Sequence, residues 1–230
     1  CGGPAPGGPG RPMASPALRQ LGLGSLKRVY RLDAPELCAA VQDAAKRHVD
    51  DKKVWDALLY RAALLRSELR PLELALTADA LAKARNRDHS FLNYLLQEVR
   101  VKASKFLVHD SALLLNALAK LGVRDELLTR SLMPPLLRRI NETARLDNLA
   151  LLALALTRLG DPCREPICDR IVAAVTPRVE ALYNGQTLSL LACAFTTRPG
   201  RGSGDPLFSD AEAPRAGPAA GEEAQEAEAA

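Results

Sequence analysis

The sequence predicts an all-α fold, specifically an α-solenoid of four to five antiparallel helix-pair repeats with a period of roughly 37–39 residues. Two observations predict it. Leu and Ala dominate the 230 residues, aromatic residues make up 4%, and β-branched residues are sparse, a composition that favours helices over strands. A ten-residue element at 113–122 also recurs at a fixed spacing, which is typical of solenoids whose units bury their apolar faces against each other.

The recurring element is Leu113-Leu-Leu-Asn-Ala-Leu-Ala-Lys-Leu-Gly122. Its second half matches Leu81-Ala-Lys-Ala-Arg85 one period upstream and Leu156-Thr-Arg-Leu-Gly160 one period downstream. Residues 149–156 match residues 188–195 at the next period, and residues 44–48 match weakly one period before 81–85. Because these four matches share one register, we interpret them as a true repeat.

Composition divides the chain into three parts. Residues 1–32 are rich in Gly and Pro, basic and free of acidic residues, which predicts a disordered leader; it is either the remnant of an organelle transit peptide or a plain disordered segment. Residues 33–198 form the predicted helical-repeat domain. Residues 199–230 are predicted to be a disordered linker and an acidic Ala/Glu tail. The net charge is −5 for residues 201–230 and +9 for residues 1–200, compatible with an anionic partner.

The first four helices follow from caps and apolar stripes. Asp33 is the expected N-cap of the first, with Pro35 just inside it, and Asp88 or Ser90 is expected to start the fourth. The predicted ranges are Asp33 to about His48, Asp51 to about Leu69, Pro71 to about Arg85, and a helix from residues 88–90 that carries Phe91, Leu92, Leu95, Leu96 and Val99.

The later helices follow from the same signals. Asp110 or Ser111 is expected to cap the central helix and Gly122 to end it in a left-handed conformation. The next helix should run from Arg124 to about Thr143, broken at its two consecutive prolines. The remaining expectations are a helix capped by Asp147 and ended by Gly160, a helix started by residues 161–166 and kinked at Pro177, and a helix from Gln186 to about Thr197.

Superposing the units aligns two columns of cations, and both are candidate RNA-binding residues. The first column lies on the first helices and consists of Lys46, Lys83, Lys120 and Arg158. The second column lies on the second helices and consists of Lys102, Arg139 and Arg178, with Arg66 as an approximate fourth member. A ladder of cations along one surface suits a polyphosphate backbone, since neutralised phosphates release counterions.

Other interpretations of the columns stay open. The first column lies in the last turn of each helix, where a cation also offsets the helix dipole. For the second column this explanation is weaker, and we favour a binding role there. Loop residues Arg85, Arg87, Arg124 and Arg164 add charge near the corners of the units, where charged groups are commonly just solvated.

The sequence contains no catalytic constellation, no phosphate-binding glycine motif and no metal-ligand spacing, so we predict neither an enzyme nor a cofactor. Cys38 and Cys193 are expected to be small apolar core residues. His48, His89 and His109 lie near helix ends with no repeating partner, which favours structural or surface roles. The longest uninterrupted apolar run, Leu149–Leu156, is too short to span a membrane.

The Ala-Leu-Ala-Lys-Leu-Gly element and its spacing along the chain resemble the octotricopeptide and heptatricopeptide repeat proteins, and they are similar to the helical repeats of the FAST kinase-domain family. The resemblance covers roughly residues 34–197 and implies an α-solenoid that binds organellar RNA. Members of that group mature, stabilise or help translate mitochondrial or chloroplast transcripts, and some belong to mitochondrial ribosomes. The resemblance therefore implies a mitochondrial, or alternatively plastid, protein with RNA and ribosomal or other RNA-binding proteins as partners.

The sequence departs from that pattern in several units. Residues 81–85 lack the closing Leu-Gly, the unit around Ala44–His48 is degenerate, and residues 186–197 lack the Lys-Leu-Gly end. The carboxy-terminal RAP domain common in the group is not found, which leaves binding without catalysis as the expected function. A scaffold that grips a peptide or a neighbouring subunit is the alternative hypothesis.

Overall fold

The computed structural model describes residue 18 and residues 21–141, 144–160, 164–181 and 185–196. The described residues form ten α-helices and no strand. In chain order these are α1 (Leu26–Val29), α2 (Ala34–Lys46), α3 (Lys52–Leu64), α4 (Pro71–Lys83), α5 (His89–Lys102), α6 (Val108–Leu121), α7 (Glu126–Arg139), α8 (Leu146–Leu159), α9 (Arg164–Val175) and α10 (Gly185–Thr196). Short 3-10 segments follow α5 and α9, at Ala103–Lys105 and Thr176–Ala181.

The helices form two layers, as an α-solenoid requires. The first helices α2, α4, α6, α8 and α10 pack against one another in sequence order, and the second helices α3, α5, α7 and α9 do the same beside them. Alanines such as Ala75, Ala112 and Ala150 are fully buried in the first layer, where small side chains let neighbouring helices approach closely. The all-α fold and the repeat of helix pairs are therefore confirmed.

The first helices of the first four units all end at a residue in the left-handed conformation, although the sequences of these ends differ. Gly122 and Gly160 have positive φ, as predicted, and His48 and Arg85 adopt positive φ at the equivalent positions. The next amide then bonds five residues back, from Val49 to Ala44, from Asn86 to Leu81 and from Val123 to Leu118, at 3.0 Å in each case. This is the Schellman arrangement. Residues 44–48 and 81–85 thus belong to the repeat despite lacking its glycine.

Several helix starts differ from the sequence predictions. The predicted cap Asp110 lies in the first turn of α6, where its carboxylate accepts a hydrogen bond from the amide of Leu107 at 3.1 Å. Asp147 likewise lies inside α8, which begins one residue earlier. An acidic side chain in the first turn satisfies the same unpaired amides as an N-cap, so the sequence signal does not distinguish the two.

The prediction that the consecutive prolines break the helix at 124–143 was wrong. Pro134 and Pro135 both lie inside α7, which continues to Arg139. Each proline removes one backbone amide donor from the helix. Leu132 and Leu136 on either side of them are buried, and this packing stabilises the helix despite the two lost hydrogen bonds. Pro177 has a larger effect, since α9 ends at Val175 and the chain continues as a 3-10 segment.

Two further expectations concern burial. Within the predicted leader 1–32, helix α1 is packed on the stack, with Val29 fully buried and Leu23 and Leu32 nearly so. Cys38 is buried as expected, whereas Cys193 is exposed, so the prediction that it is a core residue was wrong. Residues 197–230, and with them all of the predicted linker and tail at 199–230, lie outside the described residues.

Candidate functional site

The first column of cations lies on the solvent side of the first-helix layer. On a helix with 3.6 residues per turn, Arg158 points roughly 170° away from Leu149, Ala153 and Leu156, which are fully buried. Lys46, Lys83 and Lys120 hold the equivalent place on their helices. Lys46, Lys83 and Arg158 are exposed, and Lys120 is half-buried. The repeat therefore arranges these four cations along one edge of the stack.

Three members of the first column have no acidic partner among the described residues. Lys83 pairs with Asp79 at 2.6 Å, and Asp79 is itself buried. No salt bridge involves Lys46, Lys120 or Arg158 in the described part of the chain. Their charges are available to an external anion.

Three acidic residues near this edge cap the starts of second helices. Asp51, Asp88 and Asp125 cap α3, α5 and α7, and their carboxylates accept hydrogen bonds from the amides of Lys53, Phe91 and Leu128 at 2.9–3.0 Å. Asp125 also pairs with Arg100 of the preceding second helix. Exposed Arg87 and Arg124 and half-buried Arg164 add positive charge at the same corners. The edge that carries the first column is thus rich in cations. The three capping carboxylates face backbone donors, whereas Asp43 and Asp79 pair with Arg47 and Lys83.

A column of acidic residues lies at the opposite ends of the first helices. Glu36, Glu73, Asp110 and Asp147 recur once per unit within the first turns of α2, α4, α6 and α8. The first three accept hydrogen bonds from the amides of Asp33, Arg70 and Leu107. We missed this column in the sequence, although its period could have revealed it. Arg70 and Arg145 pair with two of these carboxylates, Glu73 and Asp147, so the charge of the acidic column is partly neutralised.

The second column has a different environment, because its cations bond to the backbone of the preceding unit. The ammonium of Lys102 donates to the carbonyls of Arg66, Ser67 and Leu69 at 2.7–3.0 Å. It also pairs with Glu98 at 2.8 Å, and both side chains are only 13% exposed. Lys102 therefore closes the C-terminal end of the preceding second-helix segment, where carbonyls lack helical partners.

Arg139 and Arg178 repeat this contact in the next two units. Arg139 donates from Nη1 to the carbonyl of Phe106 at 3.0 Å and from Nη2 to that of Ser104 at 2.8 Å. Arg178 donates from Nη1 to the carbonyl of Ala144 at 2.9 Å. Both side chains are half-buried. These hydrogen bonds join consecutive units and leave less of each guanidinium for a ligand.

The predicted fourth member of the second column, Arg66, does not make the equivalent contact. Its guanidinium lies 5.5 Å from the ring centroid of Tyr94, and its side chain is exposed. Arg61 instead donates from Nε to the carbonyl of Leu32 at 2.9 Å. The accepting carbonyls belong to Leu32, Leu69, Phe106 and Ala144, which follow one another at the period of the repeat. The inter-unit contact is therefore made by Arg61, Lys102, Arg139 and Arg178 in successive units, the last of them from the 3-10 segment that follows α9. In the fourth unit Arg170 of α9 adds a second bond, from Nε to the carbonyl of Ile140 at 3.2 Å.

The titratable groups in the core indicate packing rather than chemistry. Burial raises the pKa of the Cys38 thiol, as does the nearby charge of Glu73, and the thiol donates to the backbone carbonyl of Glu73. Burial also raises the pKa of Cys168. Both thiols are therefore weak nucleophiles at neutral pH.

Among the described residues no three His, Cys, Asp or Glu side chains form a metal-binding group, and no described helix is long and apolar enough to cross a membrane.

No protein-family model matches the sequence, and the search of curated proteins found no match either.

Proposed function

We propose that the protein is an RNA-binding helical-repeat protein that holds the phosphate backbone along its basic edge and acts without catalysis. The observation that supports this most is the first column, in which Lys46, Lys120 and Arg158 lie on the outward face of the first-helix layer, with no acidic partner among the described residues. Consecutive units lie side by side, so a chain of phosphates can contact several of these cations at once.

The proposal assigns affinity to phosphates rather than to bases. Aromatic residues are 4% of the sequence, and the tryptophan, Trp55, is buried with its indole donating to the carbonyl of Val49. Tyr30 and Tyr60 are exposed but pack edge to face on each other, and exposed Tyr94 carries the guanidinium of Arg66 on its ring. Base stacking on aromatic platforms is therefore proposed to be a minor term. The resemblance of the repeat to octotricopeptide and heptatricopeptide proteins supports an organellar RNA, in mitochondria before plastids, and a role in RNA stability, processing or translation, including association with a mitochondrial ribosome.

The contacts of the second column change the choice of residues for a test. Replacing Lys102, Arg139 or Arg178 removes hydrogen bonds between units, so a loss of RNA binding in such variants would also reflect a loss of stability. Lys46, Lys120 and Arg158 make no such bonds in the described structure and can be replaced with less risk to the fold.

The test compares two triple variants with the same change in net charge. Lys46→Glu, Lys120→Glu and Arg158→Glu together remove the proposed contacts, whereas Lys27→Glu, Lys105→Glu and Arg138→Glu replace exposed cations outside the first column. Binding of a labelled single-stranded RNA of mixed sequence is measured by fluorescence anisotropy over a series of salt concentrations. We expect the first variant to bind weakly and to lower the log–log salt slope by roughly 0.7 per lost contact.

The control variant distinguishes a defined edge from general charge attraction. If both variants lose affinity equally, the basic edge is not the binding surface. If the first variant binds as the wild type does, the proposal fails. Crosslinking in cells followed by sequencing of the bound RNA then identifies the transcript and its compartment.

A further inference from the structure

The last helix of the stack, α10, exposes an apolar stripe. Leu188, Ala192 and Phe195 lie on one face of the helix. Leu188 is 45% exposed and Phe195 is 49% exposed, and Ala192 is exposed as well. The neighbouring face of α10 is firmly seated on α8, because Leu191 and Ala194 are buried. The exposure of the stripe is therefore not a consequence of a detached helix.

The equivalent stripe is buried in each of the four preceding first helices. None of the twelve equivalent residues is more than 1% exposed. They are Leu37, Val41 and Ala44 in α2, Leu74, Ala78 and Leu81 in α4, Ser111, Leu115 and Leu118 in α6, and Leu149, Ala153 and Leu156 in α8. The stripe is thus a standard packing surface of the repeat that remains uncovered at its last copy in the described part of the chain.

The stripe faces the layer of second helices. On α8, the residues that bond to α10 are Asp147, whose carboxylate accepts from Thr187, and Thr157, whose hydroxyl donates to the carbonyl of Ala194 at 3.0 Å. The stripe lies on a different face of α8, and α8 also packs against α9. In a complete unit, an amphipathic second helix covers this surface.

The second-helix layer is open at the same end. Val172 on α9 is 46% exposed. Its equivalents Leu59 and Leu96 are buried, at 3% and 5% exposed, and Met133 is half-buried. We call the surface formed by Val172, Leu188, Ala192 and Phe195 the terminal groove. One side of the groove belongs to α9 and the other to α10. They correspond to the two helices that a second helix contacts in the preceding units.

We propose that the terminal groove binds an amphipathic helix supplied by another protein, which takes the place of a second helix in the fifth unit. Residues 197–230 contain two large apolar residues, Leu207 and Phe208. Helix α5, by comparison, buries Phe91, Leu92, Leu95, Leu96 and Val99. Residues 197–230 therefore do not carry the series of large apolar residues with which α5 covers the equivalent surface.

A second copy of this chain is a poorer occupant. Two stripes of three residues face to face bury far less than the roughly 1,200 Å² of a stable interface. An incoming helix covers the α9 side as well. The preceding units define its chemistry, with apolar residues spaced as in α5 and a Lys or Arg at its C-terminal end, as Lys102, Arg139 and Arg178 are placed. This inference does not depend on RNA binding.

The test uses a labelled peptide of residues 87–106, which contains α5, its cap and Lys102, as the probe helix. It is titrated with the full chain and followed by fluorescence anisotropy. We expect saturable binding of the peptide to the wild type. The double variant Leu188→Glu, Phe195→Glu should bind it roughly tenfold or more weakly, because it places two charges in the apolar terminal groove. The variant Val101→Glu, Leu127→Glu, at a 78% exposed valine of α5 and a 60% exposed leucine of α7, is the matched control and should bind as the wild type does.

Each other outcome overturns the proposal. Absence of saturable binding, or equal binding by the double variant, shows that the groove is not a helix site. A wild-type dimer in sedimentation that the double variant converts to a monomer identifies a second copy as the occupant. Tighter peptide binding after removal of residues 197–230 identifies that segment as the cover. Thermal melting confirms that the variants are folded, and Phe195→Ser serves as a milder substitute if the double variant is not.

Discussion

Lys102 and Lys120 lie near the ends of neighbouring helices, and both belong to columns that recur with the period of the repeat. Lys102 is 13% exposed and bonds to three carbonyls and a carboxylate. Lys120 is half-buried on the outward side of its helix and has no salt bridge among the described residues. A period shows that a residue recurs, but it does not show whether the residue holds the units together or faces a ligand.

The largest difference expected between the two columns is in the free energy of unfolding when one of their lysines is replaced. Lys102→Met leaves three carbonyls and the partly buried Glu98 without their partner, so we expect it to lower the free energy of unfolding by about 2–3 kcal/mol. Lys120→Met, the matched substitution in the first column, should change it by no more than about 0.5 kcal/mol. Urea denaturation followed by circular dichroism measures both. Similar losses in the two variants would remove the distinction between the columns.

The second comparison concerns the first inter-unit contact, which the structure assigns to Arg61 rather than to Arg66. Arg61→Met removes the hydrogen bond to the carbonyl of Leu32 and should cost about 1.5 kcal/mol. Arg66→Met removes an exposed cation–π contact with Tyr94, worth about 0.5 kcal/mol. Chemical denaturation of the two variants side by side tests the order. If Arg66→Met lowered the free energy of unfolding more than Arg61→Met does, Arg66 rather than Arg61 would make the inter-unit contact.

The last comparison concerns the residues that follow the first column in the left-handed conformation. A Cβ at Gly122 meets no atom within 4 Å, so Gly122→Ala should cost about 1 kcal/mol through its positive φ alone. His48→Gly should gain about 0.5–1 kcal/mol at the equivalent position, for the same reason with the opposite sign. The melting temperatures of the two variants, compared with that of the wild type, measure both changes in stability. A loss of stability on His48→Gly would show that the imidazole makes a contribution larger than the strain.

Much of the fold could be predicted from the sequence because the relevant signals are local. The Asp33, Asp51 and Asp88 caps are seen in the structure, as is the glycine that ends α6. The prediction at Pro134 and Pro135 was wrong because a local rule gave way to the packing of Leu132 and Leu136. The burial predicted for Cys193 was wrong because α10 is the last first helix among the described residues and nothing described covers that side of it.

The candidate site was predicted less completely, for a related reason. Both columns were visible as aligned cations, but the carbonyls of the preceding unit that accept from Lys102, Arg139 and Arg178 lie 33–36 residues away in the chain. Backbone acceptors have no side-chain identity, so no residue pattern announces them. The acidic column at the first-helix starts was detectable, since its four members recur once in each unit.

The helices, their pairing into a regular repeat and the alignment of like charges in consecutive units follow from the sequence alone, because caps, apolar stripes and periods act over a few turns of chain. The folded stack settles three further points: which column faces solvent, which one bonds neighbouring units and which apolar stripe has no cover among the described residues. Those outcomes depend on what each helix meets when the units stack, and that information lies a whole repeat away along the chain.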